Sequence, residues 1–246
     1  MSTTRREQRA TKDALGAAIS ERLVTEIVAA QRERGVAHVV LTGGSMGGLS
    51  LQSLPGASGI DFSKVHFWWG DERFVPAGSA ERNDLEADRA ALDALPVPAA
   101  NVHRVAGPDT VPDAETAAAA YGEAIREAGE GLFDVTMLGM GPDGHVASLF
   151  PHHPAQRTEG AAAIAVHDSP KPPPDRVSLT FECLARSRSV WLMVAGAEKA
   201  DAVAAALAPG ADRWDVPASG VHGTESTVWW VDDAAAAHLA GDTATA

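Results

Sequence analysis

Between Gly139 and Pro151 the chain reads Gly-Met-Gly-Pro-Asp-Gly-His-Val-Ala-Ser-Leu-Phe-Pro. A carboxylate, Asp143, and an imidazole, His145, stand two residues apart among three glycines, which let the backbone turn sharply and approach a ligand closely. Histidine is the side chain best matched to moving a proton near neutral pH. A catalytic reading makes His145 a general base on water, with Asp143 orienting the ring or touching substrate. A structural reading has Asp143 satisfying loop N–H groups and His145 plugging a crevice.

Other segments offer charge and hydrogen-bond donors. Thr42-Gly43-Gly44-Ser45 lies between a strand pattern and a helix pattern; its N–H groups and two hydroxyls suit an anion cradle. It lacks the lysine of a nucleotide P-loop, which argues against ATP or GTP. Asp71-Glu72-Arg73 follows a strand pattern, so Arg73 is placed to meet a phosphate or a sugar hydroxyl, and Asp71 to hold hydroxyls. Lys199 and Arg176 are further candidate counter-ions, and Arg82 and Asn83 either serve the site or cap a helix. The solvated-surface reading stands beside each of these.

Three alternatives lose ground. Gly139, Gly141 and Gly144 satisfy G-x-G-x-x-G, but Pro151 and Pro154 leave no room for the long helix that would hold a dinucleotide pyrophosphate. His152 and His153 are adjacent, a poor arrangement for chelating one ion, so no metal is expected. Ser148 lacks the G-x-S-x-G elbow of a serine hydrolase.

These groups must be positioned by elements that alternate strand and helix. Residues 6–34 carry Leu15, Ile19, Leu23 and Ile27 at helical spacing and end at Gly35. Strands are expected at 36–41, 65–69, 102–105, 133–138, 177–180, 190–195 and 228–231. Helices are expected at 46–54, 81–94, 114–128 with Asp113 as N-cap, 198–207 and 233–240. The pattern predicts an α/β fold: an open, mainly parallel sheet with helices on both faces. The proline-rich stretch 168–175 reads as a surface excursion within one domain spanning 1–246.

The net charge of −13 speaks against nucleic acid or an anionic membrane as partner, though not against a small phosphorylated substrate. Cys183 is the single cysteine, which excludes an internal disulfide and a thiolate zinc site. Met1 to Ala10 is polar, without a signal-peptide core, and no apolar run spans a bilayer, so a cytoplasmic setting is expected, as a monomer or weak homo-oligomer.

Taken together, the Gly-Gly-Ser turn at 43–45, Trp69-Gly70-Asp71-Glu72-Arg73-Phe74-Val75-Pro76, the loop 139–151 and Ala197-Glu198-Lys199-Ala200 resemble the 6-phosphogluconolactonase family. Pro217-Ala218-Ser219 and the stretch Trp229 to Ala235 fit as well. The resemblance implies a Rossmann-like fold shared with glucosamine-6-phosphate deaminase and ribose-5-phosphate isomerase. It implies cofactor-free hydrolysis of 6-phospho-D-glucono-1,5-lactone, with His145 as base. The turn 43–45 and Lys199 would hold the phosphate, helped by Arg73 and Arg176. Thr42 stands where serine is common in the family, Met46-Gly47 replaces a frequent Thr-Pro, and Arg82 takes a frequent serine position. A rival within the fold is the deaminase, which carries a glutamate region where this chain has Ala147-Ser148-Leu149-Phe150-Pro151. A non-catalytic sugar-phosphate sensor would need an added DNA-binding helix pair, and only one helix precedes the first expected strand.

Overall fold

The computed structural model describes residues 2–129 and 132–239. Its strands are β1 (Thr3–Arg9), β2 (Ala37–Leu41), β3 (Val65–Trp69), β4 (Asp71–Arg73), β5 (Val135–Gly139), β6 (Ala163–Val166), β7 (Arg176–Leu179), β8 (Ser189–Val194) and β9 (Ser226–Asp232). The α-helices are α1 (Lys12–Arg34), α2 (Ser45–Leu49), α3 (Asn83–Ala90), α4 (Ala114–Glu127), α5 (Phe181–Leu184) and α6 (Ala200–Leu207).

Six strands form one parallel sheet in the order β1-β9-β8-β5-β2-β3. Side chains alternate across a strand, so each central strand feeds two cores. Val39 and Leu41 pack with Leu15, Ile19, Leu23 and Ile27 of α1 on one face. Val40 packs on the other with Ala117 and Tyr121 of α4 and with Val203 of α6. The expected sheet, with helices on both faces, is the one observed.

Local chemistry explains the helix ends. Thr11 caps α1 by accepting from Ala14 N at 3.2 Å, and Gly35 closes it in the left-handed region at φ 79°. Asp113 caps α4 through Thr116 N at 2.8 Å, as its place in the sequence predicts.

Several expectations are corrected. Residues 6–9 do not begin the first helix, which starts at Lys12; they belong to β1, paired in parallel with β9 from Thr3↔Ser226 to Arg9↔Asp232. Thr-Thr-Arg-Arg-Glu-Gln-Arg has no apolar face, and only the backbone ladder of its neighbour makes it extended. The strand expected at 102–105 reduces to a single bridge between Val102 and Phe67. The helix expected at 46–54 ends at Leu49, and that at 81–94 yields α3 and a 3₁₀ turn at Leu92–Ala94. In place of a final helix, residues 233–239 form turns, with the Asp232 carboxylate accepting from Ala235 N (2.7 Å) and Gly196 N (3.0 Å). Position 240 lies outside the described residues.

The strand expected at 177–180 exists as β7 but leaves the parallel sheet. It joins a separate antiparallel sheet in the order β4-β7-β6. That small sheet carries Asp71 and Arg73 against Ser178 and Arg176, and so walls one side of the site. No helix among the described residues is long and apolar enough to cross a membrane.

Candidate active site

The chain leaves β2 toward β3 at one edge of the parallel sheet, whereas β5 leads toward β8, β9 and β1 at the other. The carboxyl ends of β2 and β5 therefore flank a topological switch point, where loops diverge and open a crevice. Thr42 to Ser45 leave β2 there, and Gly139 to His145 leave β5. Thr42 Oγ1 spans the gap, accepting from Gly139 N at 3.4 Å. A cavity of about 320 Å³ fills the crevice, and its lining includes Gly43, Gly44, Ser45, Asp71, Arg73, His145, Arg176 and Lys199. Residues as far apart in the chain as Thr42 and Lys199 thus meet in one space.

Asp143 stands just behind this lining. Its Oδ1 lies 2.5 Å from His145 Nδ1. Burial raises the Asp143 pKa, but the His145 hydrogen bond, the imidazole's charge and Lys171 outweigh it and hold the carboxyl down at about 2. The carboxylate is therefore ionised at neutral pH and accepts only. Nδ1 must donate to it, which leaves the lone pair of a neutral imidazole on Nε2, the nitrogen remaining for the cavity. The loop permits this closeness because Gly141 has no side chain. A Cβ there would fall 2.1 Å from His145 Nδ1 and 2.3 Å from Asp143 Oδ1. Gly144, at φ 81°, makes the turn between the pair, and its carbonyl accepts from Ala218 N at 2.9 Å. Ala147, which lines the cavity, is held at φ 49°, a region costly for a residue with a Cβ.

The glycine turn is less open than its sequence implies. Gly44 adopts φ 78° and donates its N–H to Glu86 Oε2 at 2.9 Å, so a carboxylate from α3 already holds one donor of the cradle. Gly43 faces Asn83: a Cβ would lie 1.8 Å from Asn83 Oδ1. That buried oxygen has no conventional donor among the described residues and rests instead against the Gly43 Cα–H. Asn83 Nδ2 donates to Asp71 O at 2.9 Å, and Asn83 itself borders the cavity.

Asp71 is held by Ser148, whose hydroxyl donates to Oδ2 at 2.6 Å, while Ser148 N donates to Ser178 Oγ at 3.2 Å. Glu72 is buried and faces away from the cavity. Its two oxygens accept from the N–H groups of Arg73 (2.8 Å), Asn83 (2.8 Å) and Asp84 (2.9 Å), anchoring the start of α3. Arg82 grips Asp84 through Nε (3.0 Å) and Nη2 (2.8 Å) and reaches Val105 O at 2.7 Å. At 2 % exposure it braces the scaffold and does not face the cavity.

The cations differ in how far they are committed. Lys199 Nζ donates to Met140 O at 2.7 Å; burial and the repulsion of Lys171 lower its pKa. Arg176 donates to Pro173 O, Lys171 O and Pro172 O at 3.0–3.2 Å, pinning the proline excursion. Arg73 donates to Glu81 O, and its buried Nε has no hydrogen-bond partner among the described residues. Arg73 and Arg176 are direct cross-strand neighbours, an arrangement of like charges that destabilises a sheet unless an anion lies between or beside them. Lys171 lines the cavity too, and neither its position nor its neighbours single it out in the sequence. Among the described residues, four cations, Arg73, Lys171, Arg176 and Lys199, therefore border this cavity against one carboxylate, Asp71, in a chain of net charge −13.

His152 and His153 do not converge. His152 lies 3.6 Å from Asp215 and edge-on to Trp214, while His153 Nδ1 accepts from Ala155 N and Nε2 donates to His167 O.

Comparison with known proteins fits this architecture. Residues 10–230 match the family model described as glucosamine-6-phosphate isomerases/6-phosphogluconolactonase. The chain belongs to that family. It is 46 % identical to the 6-phosphogluconolactonase of Streptomyces coelicolor over 240 residues, covering 93 % of this chain and 92 % of the relative. It is 48 % identical to the 6-phosphogluconolactonase of Mycobacterium tuberculosis over 235 residues, covering 92 % and 95 %. The crystal structure of 6-phosphogluconolactonase from Thermotoga maritima superposes with a TM-score of 0.83 at 30 % identity, covering 94 % of this chain and all of that one. A monomeric glucosamine-6-phosphate deaminase shares the fold, with a TM-score of 0.79 at 18 % identity over 95 % of this chain and 99 % of that one.

Proposed function

We propose that this family member hydrolyses 6-phospho-D-glucono-1,5-lactone to 6-phosphogluconate, the ring-opening step of the oxidative pentose phosphate pathway. The observation that carries the reading is the Asp143–His145 pair set beside a cavity rich in cations at the sheet's switch point. A phosphorylated, otherwise neutral lactone needs a cationic end for its phosphate and a base at its carbonyl carbon.

In this reading the turn 43–45 and Lys199 bind the 6-phosphate, with Arg73 and Arg176 adding positive potential. Asp71 and Asn83 meet sugar hydroxyls. His145 Nε2 draws a proton from a water at C1 as that water's oxygen adds to the carbonyl, and a tetrahedral oxyanion forms. Asp143 stabilises the imidazolium at Nδ1. The intermediate collapses, the bond from C1 to the ring oxygen breaks, and His145 returns its proton to that leaving oxygen. Holding the phosphate at a distance from C1 fixes the reacting atoms and lowers the entropic cost of attack. A residue acting in this way contributes about 10²–10⁴-fold to the rate.

The test generates the lactone in place with glucose-6-phosphate dehydrogenase and follows its opening, with spontaneous hydrolysis subtracted. Wild-type protein accelerates opening, and His145→Ala binds substrate but loses most of kcat. Near-wild-type turnover by that variant, or release of ammonia from glucosamine 6-phosphate with no lactone opening, overturns the proposal.

A further inference from the structure

The excursion 168–175 is a built strap. The Lys171 carbonyl accepts from Arg176 Nη2 at 3.0 Å and from Ser169 Oγ at 2.9 Å. Lys171 N donates to Ser169 Oγ at 3.3 Å, and Ser169 N to Pro174 O at 3.0 Å. These bonds fix the backbone on both sides of one ammonium group. Among the described residues its ionic partner is Asp143 Oδ1, at 3.9 Å, beyond hydrogen-bond reach. The same carboxylate oxygen is bonded to His145. Lys171 thus stands at the His145 end of the cavity with its donors uncommitted. Lys199 is tied to Met140, and Arg176 to three strap carbonyls.

We propose that Lys171 is a catalytic residue whose ammonium meets the negative charge that develops on the C1 oxygen while water adds to the lactone. The inference rests on the lactonase reading and deepens it. No bond to lysine forms. The ammonium donates a hydrogen bond to the oxyanion, and its charge counts most when the oxyanion is fully formed. Such a contact is made in the transition state and hardly in the ground state, so it raises kcat more than it lowers KM. Its side chain is 43 % exposed. The expected loss is therefore below the ~10²–10³-fold seen for a fully enclosed oxyanion donor.

The decisive measurement compares wild type, Lys171→Met and Lys171→Arg for kcat, KM, the kcat–pH profile and competitive inhibition by inorganic phosphate. The expected result is a fall of about 10–100-fold in the plateau kcat of Lys171→Met. KM and phosphate inhibition should stay within about threefold of wild type, and Lys171→Arg should recover part of the rate. Raised KM and weakened phosphate inhibition at unchanged kcat would make Lys171 a phosphate contact and overturn the proposal. A shifted pH profile with an unchanged plateau would make it only a tuner of the Asp143–His145 pair, which also overturns it. Thermal melts of the variants report folding, and Lys171→Gln serves if the methionine variant melts early. Inactive wild-type protein would remove the lactonase reading and this role together. Active wild type with an unaltered Lys171→Met removes this role alone.

Discussion

Replacing Gly141 with alanine tests the geometry of the loop with a single methyl group. Gly141 does not use the left-handed region, so alanine meets no backbone penalty there; the effect is purely steric. The added Cβ would sit 2.1 Å from His145 Nδ1, 2.2 Å from His145 Cε1 and 2.3 Å from Asp143 Oδ1, all inside the 3.0 Å that real Cβ contacts respect. Relief requires the ring and the carboxylate to retreat by roughly 1 Å, and a misplacement of that size costs about 10²-fold in rate. At 1.36 kcal/mol per tenfold, this is about 2.7 kcal/mol of lost transition-state stabilisation. The retreat also opens the 2.5 Å bond that selects the Nε2 lone pair. The assay is steady-state lactone hydrolysis by Gly141→Ala beside Gly48→Ala, whose Cβ would make only an ordinary 3.5 Å contact with Ala90 Cβ on the adjoining helix. The expected result is a kcat fallen about 100-fold for the first and a rate near wild type for the second, with both folded. A Gly141→Ala kcat within threefold of wild type would refute the claim that the imidazole is placed by its bond to Asp143.

Lys199→Met should raise KM for the lactone about tenfold while kcat changes little, read from the same assay; an unchanged KM removes Lys199 from the phosphate end. Arg82→Met leaves the buried Asp84 with only the longer Arg104 contact, at 3.5 Å, and should destabilise the fold by about 1–3 kcal/mol, seen as a fall in urea midpoint; an unmoved midpoint contradicts the bracing role. Acid should weaken the protein through the stacked imidazoles of His38, His66 and His103. Burial, with repulsion between the rings, holds His38 and His103 near 4 against an ordinary 6.5. The folded state then binds fewer protons than the unfolded chain between those values, so stability is full above about 6.5 and is lost as pH falls toward about 4. His103→Phe keeps a ring on Trp68, which His103 stacks at 3.6 Å, and should flatten the fall of Tm across that window; an equally steep fall refutes the attribution.

Much of this molecule is legible along the chain because its signals are local. Apolar spacing marks α1 at Leu15, Ile19, Leu23 and Ile27, all of which are buried, and Asp113 marks the start of α4 because a cap is chosen by its nearest N–H groups. The Asp143–His145 pair is likewise local, two residues apart on one turn. What had no local signal was decided by partners distant in sequence. The polar segment 3–9 becomes a strand only because β9 offers its ladder, and β7 pairs with β4, far earlier in the chain, and with β6 in a sheet of their own. The same pairing sets Arg73 opposite Arg176 and brings the strap with Lys171 over the cavity. The commitments of the charged groups also come from the folded arrangement. Arg82 is spent on Asp84, Arg176 on strap carbonyls, and the Gly44 N–H on Glu86. Residue type and spacing determine which groups are able to donate, accept or take a proton. Only the packed fold determines which of them still have that capacity unused, because a hydrogen bond or charge is consumed by whichever partner the tertiary structure brings within about 3 Å.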